Sequence, residues 1–330
     1  MKNFQMMKPI NAARELMNLY GKEKTPFLFI LDFDLQHPMI LRTDELRSDK
    51  ILYDIQQTTN SPHSSGDHKE LEFKKHPVPY ESYKTAFDQV IFHLCEGNTY
   101  LLNLTFPTRI ETNYSLEEIY FSSTAKCKLL VKDSFVVFSP ELFVQIEDRR
   151  ISSFPMKGTI DASLPGAEGR IISDEKEMAE HATIVDLIRN DLSIVAKNVV
   201  VEKFRYIEQI QTNEKPLLQV SSKITGRLES NYHERIGDII VPLLPAGSVT
   251  GAPKKKTVEI IHAVEPTERG YYTGVFGLFD GERLESGVMI RFIEQRDGIF
   301  HYKSGGGITA LSNADSEYRE MIEKVYVPVA

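Results

Sequence analysis

Apolar positions along the chain change period several times, and each change predicts an element. PFLFILDFD (Pro26 to Asp34) is an apolar run too short for a core helix and rich in Phe and Ile, which predicts a buried strand. From Thr58 to Pro79 the chain turns polar and rich in turn formers (TTNSPHSSGDHKELEFKKHPVP), the composition of a surface loop. In SYKTAFDQVIFHLCEGN, Phe87, Val90, Ile91 and Leu94 fall at helical spacing, with Ser82 placed to cap the start and Gly97 to end it. TYLLNLTFPTRI reads as a strand, and KCKLLVKDSFVVFSPELFVQIEDRRISSF supplies several more between charged turns. ISDEKEMAEHATIVDLIRNDLSIVA is the longest helical pattern: Met178, Ala182, Val185, Ile188 and Leu192 line one side, and acidic residues fill the first turn. A short strand, a polar stretch around Asn213 and a strand at LLQVSSKITGRL follow. KKKTVEIIHAVE is a third helix, set between Pro253 and Pro266. YTGVFGLFD, SGVMIRFIEQR and IFHYKSGGG read as consecutive strands, closed by a helix at SEYREMIEKV. The elements come in groups instead of a βαβ alternation, which predicts an α+β fold over a doubly wound one.

Composition narrows the function. With 41% hydrophobic and 26% charged residues in 330, the chain reads as a globular protein with room for a sizeable core. It has no run near the roughly 20 apolar residues that span a bilayer, and no apolar leader segment, so a cytoplasmic protein without a membrane role is expected. Cys95 and Cys127 are too few and too far apart for a disulfide scaffold or a thiolate metal site. A net charge of −8 argues against nucleic acid as partner, because such binding draws on clustered Lys and Arg. A small metabolite or a protein partner fits better.

Several positions suggest chemistry, each beside a plainer reading. Glu177 and Glu180 share one helix face by their spacing, as do Glu317 and Glu320 on the last helix. Two facing helices with carboxylates suit Mg²⁺, which binds through one or two carboxylates plus its substrate; such pairs are also ordinary solvated faces. PAGSVTGAPKKK looks like a phosphate loop and fails the pattern, since Gly247 and Gly251 enclose one residue too few and Pro253 precedes Lys254. SGGGIT is either a tight turn or a place where backbone N–H groups approach an anion. Lys157, in ISSFPMKGTI, is either an exposed turn lysine or a nucleophile. A nucleophilic lysine must be neutral, which calls for burial, a nearby cation or a carboxylate to take its proton. His181 fits a ligand, a base or a packed network member. Arg291, in the apolar run VMIRFI, calls for a carboxylate from the protein or a ligand.

Taken in order, GNTYLLNLT, SPELF, PMKGT, EHATIVDLIRNDL, GSVTGAPK, ERGYYTGVFG, IRF, SGGGIT and SEYREMIEK resemble the motifs of the chorismate-utilising enzymes, most closely the aminodeoxychorismate synthase component I branch. The resemblance runs from about Gly97 to Lys324. It implies one catalytic domain over residues 1–330, with 1–80 a shortened N-terminal part and 81–330 the core. The implied fold is that of anthranilate synthase component I, two β-sheets packed as a sandwich and flanked by helices, with the site between the halves. It further implies Mg²⁺ held by Glu180 and Glu320 with Glu177 and Glu317 beside them. Chorismate contacts are implied at Gly158, Thr159, Ser248, Tyr272, Arg291, Gly305, Gly307 and Lys324. Lys157 is implied as the covalent nucleophile and Glu141 as the acid, with a salt bridge between the two as a compatible role. Ammonia, a separate glutamine amidotransferase partner and a place in 4-aminobenzoate and folate synthesis follow from the same resemblance. Anthranilate synthases usually carry alanine where Lys157 stands, and isochorismate synthases use a lysine where Leu101 stands. Gln219 replaces a histidine common in relatives, which shifts proton work toward Glu141. A non-catalytic partner-docking subunit is the remaining alternative, and the retained acids and lysine argue against it.

Overall fold

In the computed structural model, residues 9–62, 69–173, 175–210 and 216–329 are described. The stretch around Asn213 lies outside them. Helix α1 (Pro9–Lys22) leads into the strand predicted at PFLFILDFD, which forms as β1 (Phe27–Leu31) with every residue buried. Successive side chains of a strand point to opposite faces, so β1 needs cover on both. Phe27, Phe29 and Leu31 enter a cluster with Met17 of α1, while Leu28 and Ile30 enter another with Leu129, Phe135 and Phe292 from a second sheet. That division makes the architecture: helix layer, sheet, sheet, helix layer.

The chain weaves between the sheets. β2 (Met39–Arg42) pairs with β1; β3 (Ile51–Ile55), β4 (Thr58–Thr59) and β5 (Phe73–His76) belong to the second sheet. Helix α2 (Tyr80–Cys95) leads to the long β6 (Leu101–Thr112), and α3 (Leu116–Ser122) to β7 (Cys127–Val131) and β8 (Phe135–Ser139). β9 (Leu142–Glu147), β10 (Arg150–Ser153) and β11 (Met156–Asp161) return to the first sheet. Then come α4 (Ala167–Ser173), α5 (Glu175–Val195), β12 (Lys197–Ile210), β13 (Leu217–Arg227), α6 (Ile236–Ile240), β14 (Gly251–Ala252) and α7 (Lys254–Val264). β15 (Val275–Phe279) and β16 (Leu284–Val288) complete the first sheet, β17 (Phe292–Arg296) and β18 (Ile299–Ile308) the second, and α8 (Ala314–Glu323) follows. The first sheet runs β11-β13-β10-β9-β16-β15-β1-β2 with β12 beside β13; the second runs β14-β6-β18-β17-β8-β7-β3-β4 with β5 beside β6. Helix α5 packs Ile184, Val185, Ile188 and Leu192 on the outside of the first sheet, and α2, α7 and α8 cover the second.

Local readings need correction in five places. The segment after Thr58 is not all loop, because β4 and β5 form within it and Phe73–His76 pairs with β6. Ser82 lies inside α2, whose N-cap is Pro79 with no side-chain bond. On α5, Met178 and Ala182 are exposed, and the buried stripe begins instead with Glu180 and His181. SGVMIRFIEQR is two strands in different sheets. The crossing is at Arg291, whose φ of 52° turns the chain out of β16 and into β17. Finally, Gly305–Gly307 are not a turn: they lie inside β18, paired with Thr105, Leu104 and Asn103 of β6.

Glycine is required there by crowding. A Cβ on Gly305 would stand 2.2 Å from the carbonyl oxygen of Leu104, which cannot yield without breaking the β6–β18 ladder. Gly305→Ala is expected to destabilise the chain by about 1–3 kcal/mol or more, read as a lowered denaturant midpoint.

Candidate active site

Glu141 and Arg291 occupy two short crossings from one sheet to the other: Glu141 between β8 and β9, Arg291 between β16 and β17. At these crossings the strand ladders are interrupted, so side chains can turn inward without breaking a sheet. Tyr272, 3% exposed, lies within electrostatic reach of both, and of Arg269 and Glu265 as well. Ser248, in the turn Gly247–Val249, donates a hydrogen bond from its hydroxyl to Glu141 Oε1. Burial pushes the Glu141 carboxyl up, and the Ser248 bond, Arg291 and Lys324 offset only part of that rise. Glu141 therefore holds its proton to higher pH than an ordinary glutamate.

Lys157 is on β11, next to a register shift. Lys157 faces Val220 and Thr159 faces Gln219, so Gly158 between them is the extra residue of a bulge. Its φ of +76° is one that glycine adopts without strain, and a Cβ there would lie 3.3 Å from Glu177 Oε2. The bulge thus lets β11 pass close under α5. Lys157 Nζ forms an ion pair with Glu180 Oε2 at 2.7 Å, and Glu177 and Glu320 add their fields. Burial pulls the lysine down, but the three carboxylates outweigh it and hold the ammonium above its ordinary range. The salt-bridge partner is thus Glu180, not the Glu141 that the resemblance allowed, and of the routes to a neutral lysine that the sequence left open, burial alone does not supply it.

The acids of α8 meet over β18. A side chain on Gly306 would find Glu317 Oε2 at 3.3 Å, Lys324 Nζ at 3.8 Å and Glu320 Oε1 at 3.9 Å. Lys324 Nζ bonds Glu320 at 2.7 Å and the Gly305 carbonyl at 2.9 Å, and its charge also reaches Glu141. Charges therefore alternate in sign across the cleft from Glu141 through Lys324, Glu320 and Lys157 to Glu180. Leu101 Cδ1 lies 3.2 Å from the place of a Gly307 Cβ.

His181, next to Glu180, is 1% exposed and shares a 2.6 Å hydrogen bond with Ser222 Oγ, which also accepts from Arg205 N–H. Burial, with Arg205 and Lys157 nearby, lowers it to about 4, so it is neutral. Through Ser222 it ties α5 to β13.

Residues 20–330 match the profile described as chorismate binding enzyme. The chain belongs to this family. It is 51% identical over 318 residues, 96% of each chain, to an "Uncharacterized PabA-like protein" of Haemophilus influenzae. It is 33% identical to "Anthranilate synthase component 1 1" of Haloarcula marismortui over 74% of this chain and 52% of that one. To "Aminodeoxychorismate synthase component 1" of Bacillus subtilis it is 30% identical, over 76% and 55%. Among solved structures, a putative 2,3-dihydroxybenzoate-specific isochorismate synthase from Bacillus anthracis superposes with a TM-score of 0.71 at 19% identity, covering 96% of this chain and 88% of that one. The α+β two-sheet fold is thus that of chorismate-utilising enzymes. No described helix is long and apolar enough to cross a membrane.

In this member of the family, most residues implied by the motifs converge: Lys157, Glu177, Glu180, Glu320 and Lys324 bear on one another, and Glu141, Ser248, Tyr272 and Arg291 form the adjoining wall. Thr159 is described by its backbone only, beside Gln219. The sequence reading missed Gly306. It named Gly305 and Gly307, yet in a strand these share one face and Gly306 has the other, toward the acids. The strand period in IFHYKSGGG was the available signal. Asp191, partly buried and paired with Lys254 at 2.8 Å, lines a small cavity of about 20 Å³ with Glu141 and Ser248, and the sequence reading did not single it out. For Mg²⁺ the donor set is chemically right, all carboxylate oxygen on two helices. As the side chains stand, no group of three or more His, Cys, Asp or Glu among the described residues is placed to hold an ion, and lysines take up Glu180 and Glu320 instead.

Proposed function

We propose that this chorismate-binding enzyme is an aminodeoxychorismate synthase component I, converting chorismate and ammonia to 4-amino-4-deoxychorismate for 4-aminobenzoate and folate synthesis. The observation that carries the reading is the placement of Lys157, a potential carbon nucleophile, among Glu180, Glu177 and Glu320 in a family whose substrate is chorismate. Glu180 and Glu320, with Glu177 and Glu317 beside them, are the residues that would hold Mg²⁺. The ion would supply positive charge for the ring carboxylate.

The chain's own residues then divide the work. Arg291 and Lys324 offer cations to the remaining anionic groups, Tyr272 and Ser248 offer hydroxyls, and Gly158, Thr159, Gly305 and Gly307 offer close backbone approach. Lys157 Nζ, having given a proton to a carboxylate, bonds to C2 of chorismate. The ring double bonds shift and the C4–O bond breaks, with the Glu141 proton leaving on the hydroxyl as water. Ammonia then bonds to C4, the double bonds shift back, and the C2–N bond to Lys157 breaks. A separate glutamine amidotransferase would supply the ammonia.

Relatives at 30–33% identity divide between anthranilate and aminodeoxychorismate synthases by name, so residues must weigh the choice. Lys157 favours amination at C4, because direct attack of ammonia at C2, the anthranilate route, needs no lysine there. Leu101 cannot activate water, which disfavours isochorismate formation. Incubation with chorismate, Mg²⁺ and ammonium, followed by product identification, should yield 4-amino-4-deoxychorismate; anthranilate or isochorismate as main product overturns the assignment.

Glu141 makes a second prediction. A proton-donating Glu141 is lost as pH rises through its raised pKa, so kcat/KM should fall on the alkaline side. Glu141→Gln should lower the rate by about 10²–10⁴ and remove that limb. A variant with the parental pH profile would assign the limb to another group.

A further inference from the structure

The strongest unexplained feature is that both lysines of the cleft are tied to carboxylates proposed as cation ligands. Glu180 is nearly enclosed, its side chain 9% exposed, and its Oε2 is 2.7 Å from Lys157 Nζ. Mg²⁺ approaches a carboxylate oxygen to about 2.0–2.1 Å and demands near-octahedral geometry. An ion on Glu180 and an ammonium on the same oxygen would put like charges in direct conflict, without the bulk water that screens exposed charges.

Lys157 stands beside the bulge at Gly158, its side chain 29% exposed, and Glu177 and Glu320 also draw it toward the acids. Lys324 holds Glu320 differently. The lysines are alike in exposure, at 30% and 29%, but Glu320 is 49% exposed where Glu180 is 9%, and Lys324 has the Gly305 carbonyl as a second partner.

We propose that Lys157 is the internal competitor of the divalent cation for Glu180: the side chain occupies the carboxylate in the resting protein, and a cation binds by displacing it. This inference rests on the reading of Glu180 as a cation ligand. Its consequence is order. The amine is released from its carboxylate only when the cation that orients the substrate has arrived, so the nucleophile is held away from carbon in the unloaded protein.

The test is Mn²⁺ binding to the full-length protein, followed by electron paramagnetic resonance of free Mn²⁺, without chorismate or ammonium. Lys157→Met removes the charge and keeps the stem length, and should tighten Mn²⁺ at least tenfold. Lys157→Arg keeps a cation on Glu180 and should stay within threefold of the parent. Unchanged or weaker binding by Lys157→Met, equal tightening by Lys157→Arg, or no Mn²⁺ binding by any of the three proteins overturns the proposal. Product identity is a separate outcome. Anthranilate as product, with Mn²⁺ tightened in Lys157→Met, would overturn the assigned reaction alone; aminodeoxychorismate with unchanged Mn²⁺ affinity would overturn the competition alone.

Discussion

Lys157→Ala is expected to lower 4-amino-4-deoxychorismate formation by at least about 10³-fold, or about 4 kcal/mol of barrier, as removal of a covalent nucleophile does. Residual turnover should shift toward anthranilate, because ammonia can still attack C2 directly when no amine blocks it. Folding is a confounding factor. Glu180 is nearly enclosed and loses its 2.7 Å partner, which costs about 1–3 kcal/mol when a charged group is left unsatisfied. Lys157→Arg separates the two effects. A guanidinium keeps the ion pair and so the melting temperature, yet it stays protonated at any working pH and cannot attack carbon. Loss of activity in both variants, with near-parental stability in Lys157→Arg, supports covalent catalysis. Either variant making aminodeoxychorismate at the parental rate would refute it.

Residues of strong period and simple cover were legible without the structure. β1 was readable because both faces are apolar, and α2 because Phe87, Val90 and Leu94 are all buried against the second sheet. The face of α5 was misread at its start for a physical reason. Its first turns lean over the cleft, where what is buried is Glu180 and His181, so Met178 and Ala182 point to solvent although they continue the apolar spacing. The crossing at Arg291 carried no signal, since neither glycine nor proline marks it and a non-glycine residue takes the positive φ. Glycines 305–307 admitted two readings, the end of a strand and a tight turn; they are strand, with Gly305 crowded by the paired β6 and Gly306 by the acids of α8.

The candidate site divides along the same line. Which residues are candidates followed from the motifs, but which of them touch did not. Lys157 and Glu180 come from a strand and a helix, and only the bulge at Gly158 brings the strand under α5. The pairing of Glu141 with Ser248 likewise depends on a sheet crossing meeting a turn far along the chain. Both contacts bear on the proposed chemistry, one by keeping the lysine charged at rest, the other by bonding the carboxyl proposed to donate a proton.

Glu320→Ala should abolish activity by at least about 10³-fold and leave no dependence on added Mg²⁺ up to millimolar concentrations, while the protein stays folded. The second half of that expectation follows from exposure. Glu320 is half-exposed and its pair with Lys324 is a helical i,i+4 contact, a class that contributes about 0.3–0.5 kcal/mol; Lys324 also keeps the Gly305 carbonyl. Glu317, 6% exposed beside the same glycine, is the contrasting case. Its removal leaves a gap in the α8 contact with β18, so Glu317→Ala should lower both stability and activity. Mg²⁺ titration of initial rates, with circular dichroism on the same samples, reads the three quantities together. A Glu320→Ala protein that titrates with Mg²⁺ like the parent would mean that the cation sits elsewhere, and that the acids of α8 serve only to hold Lys324.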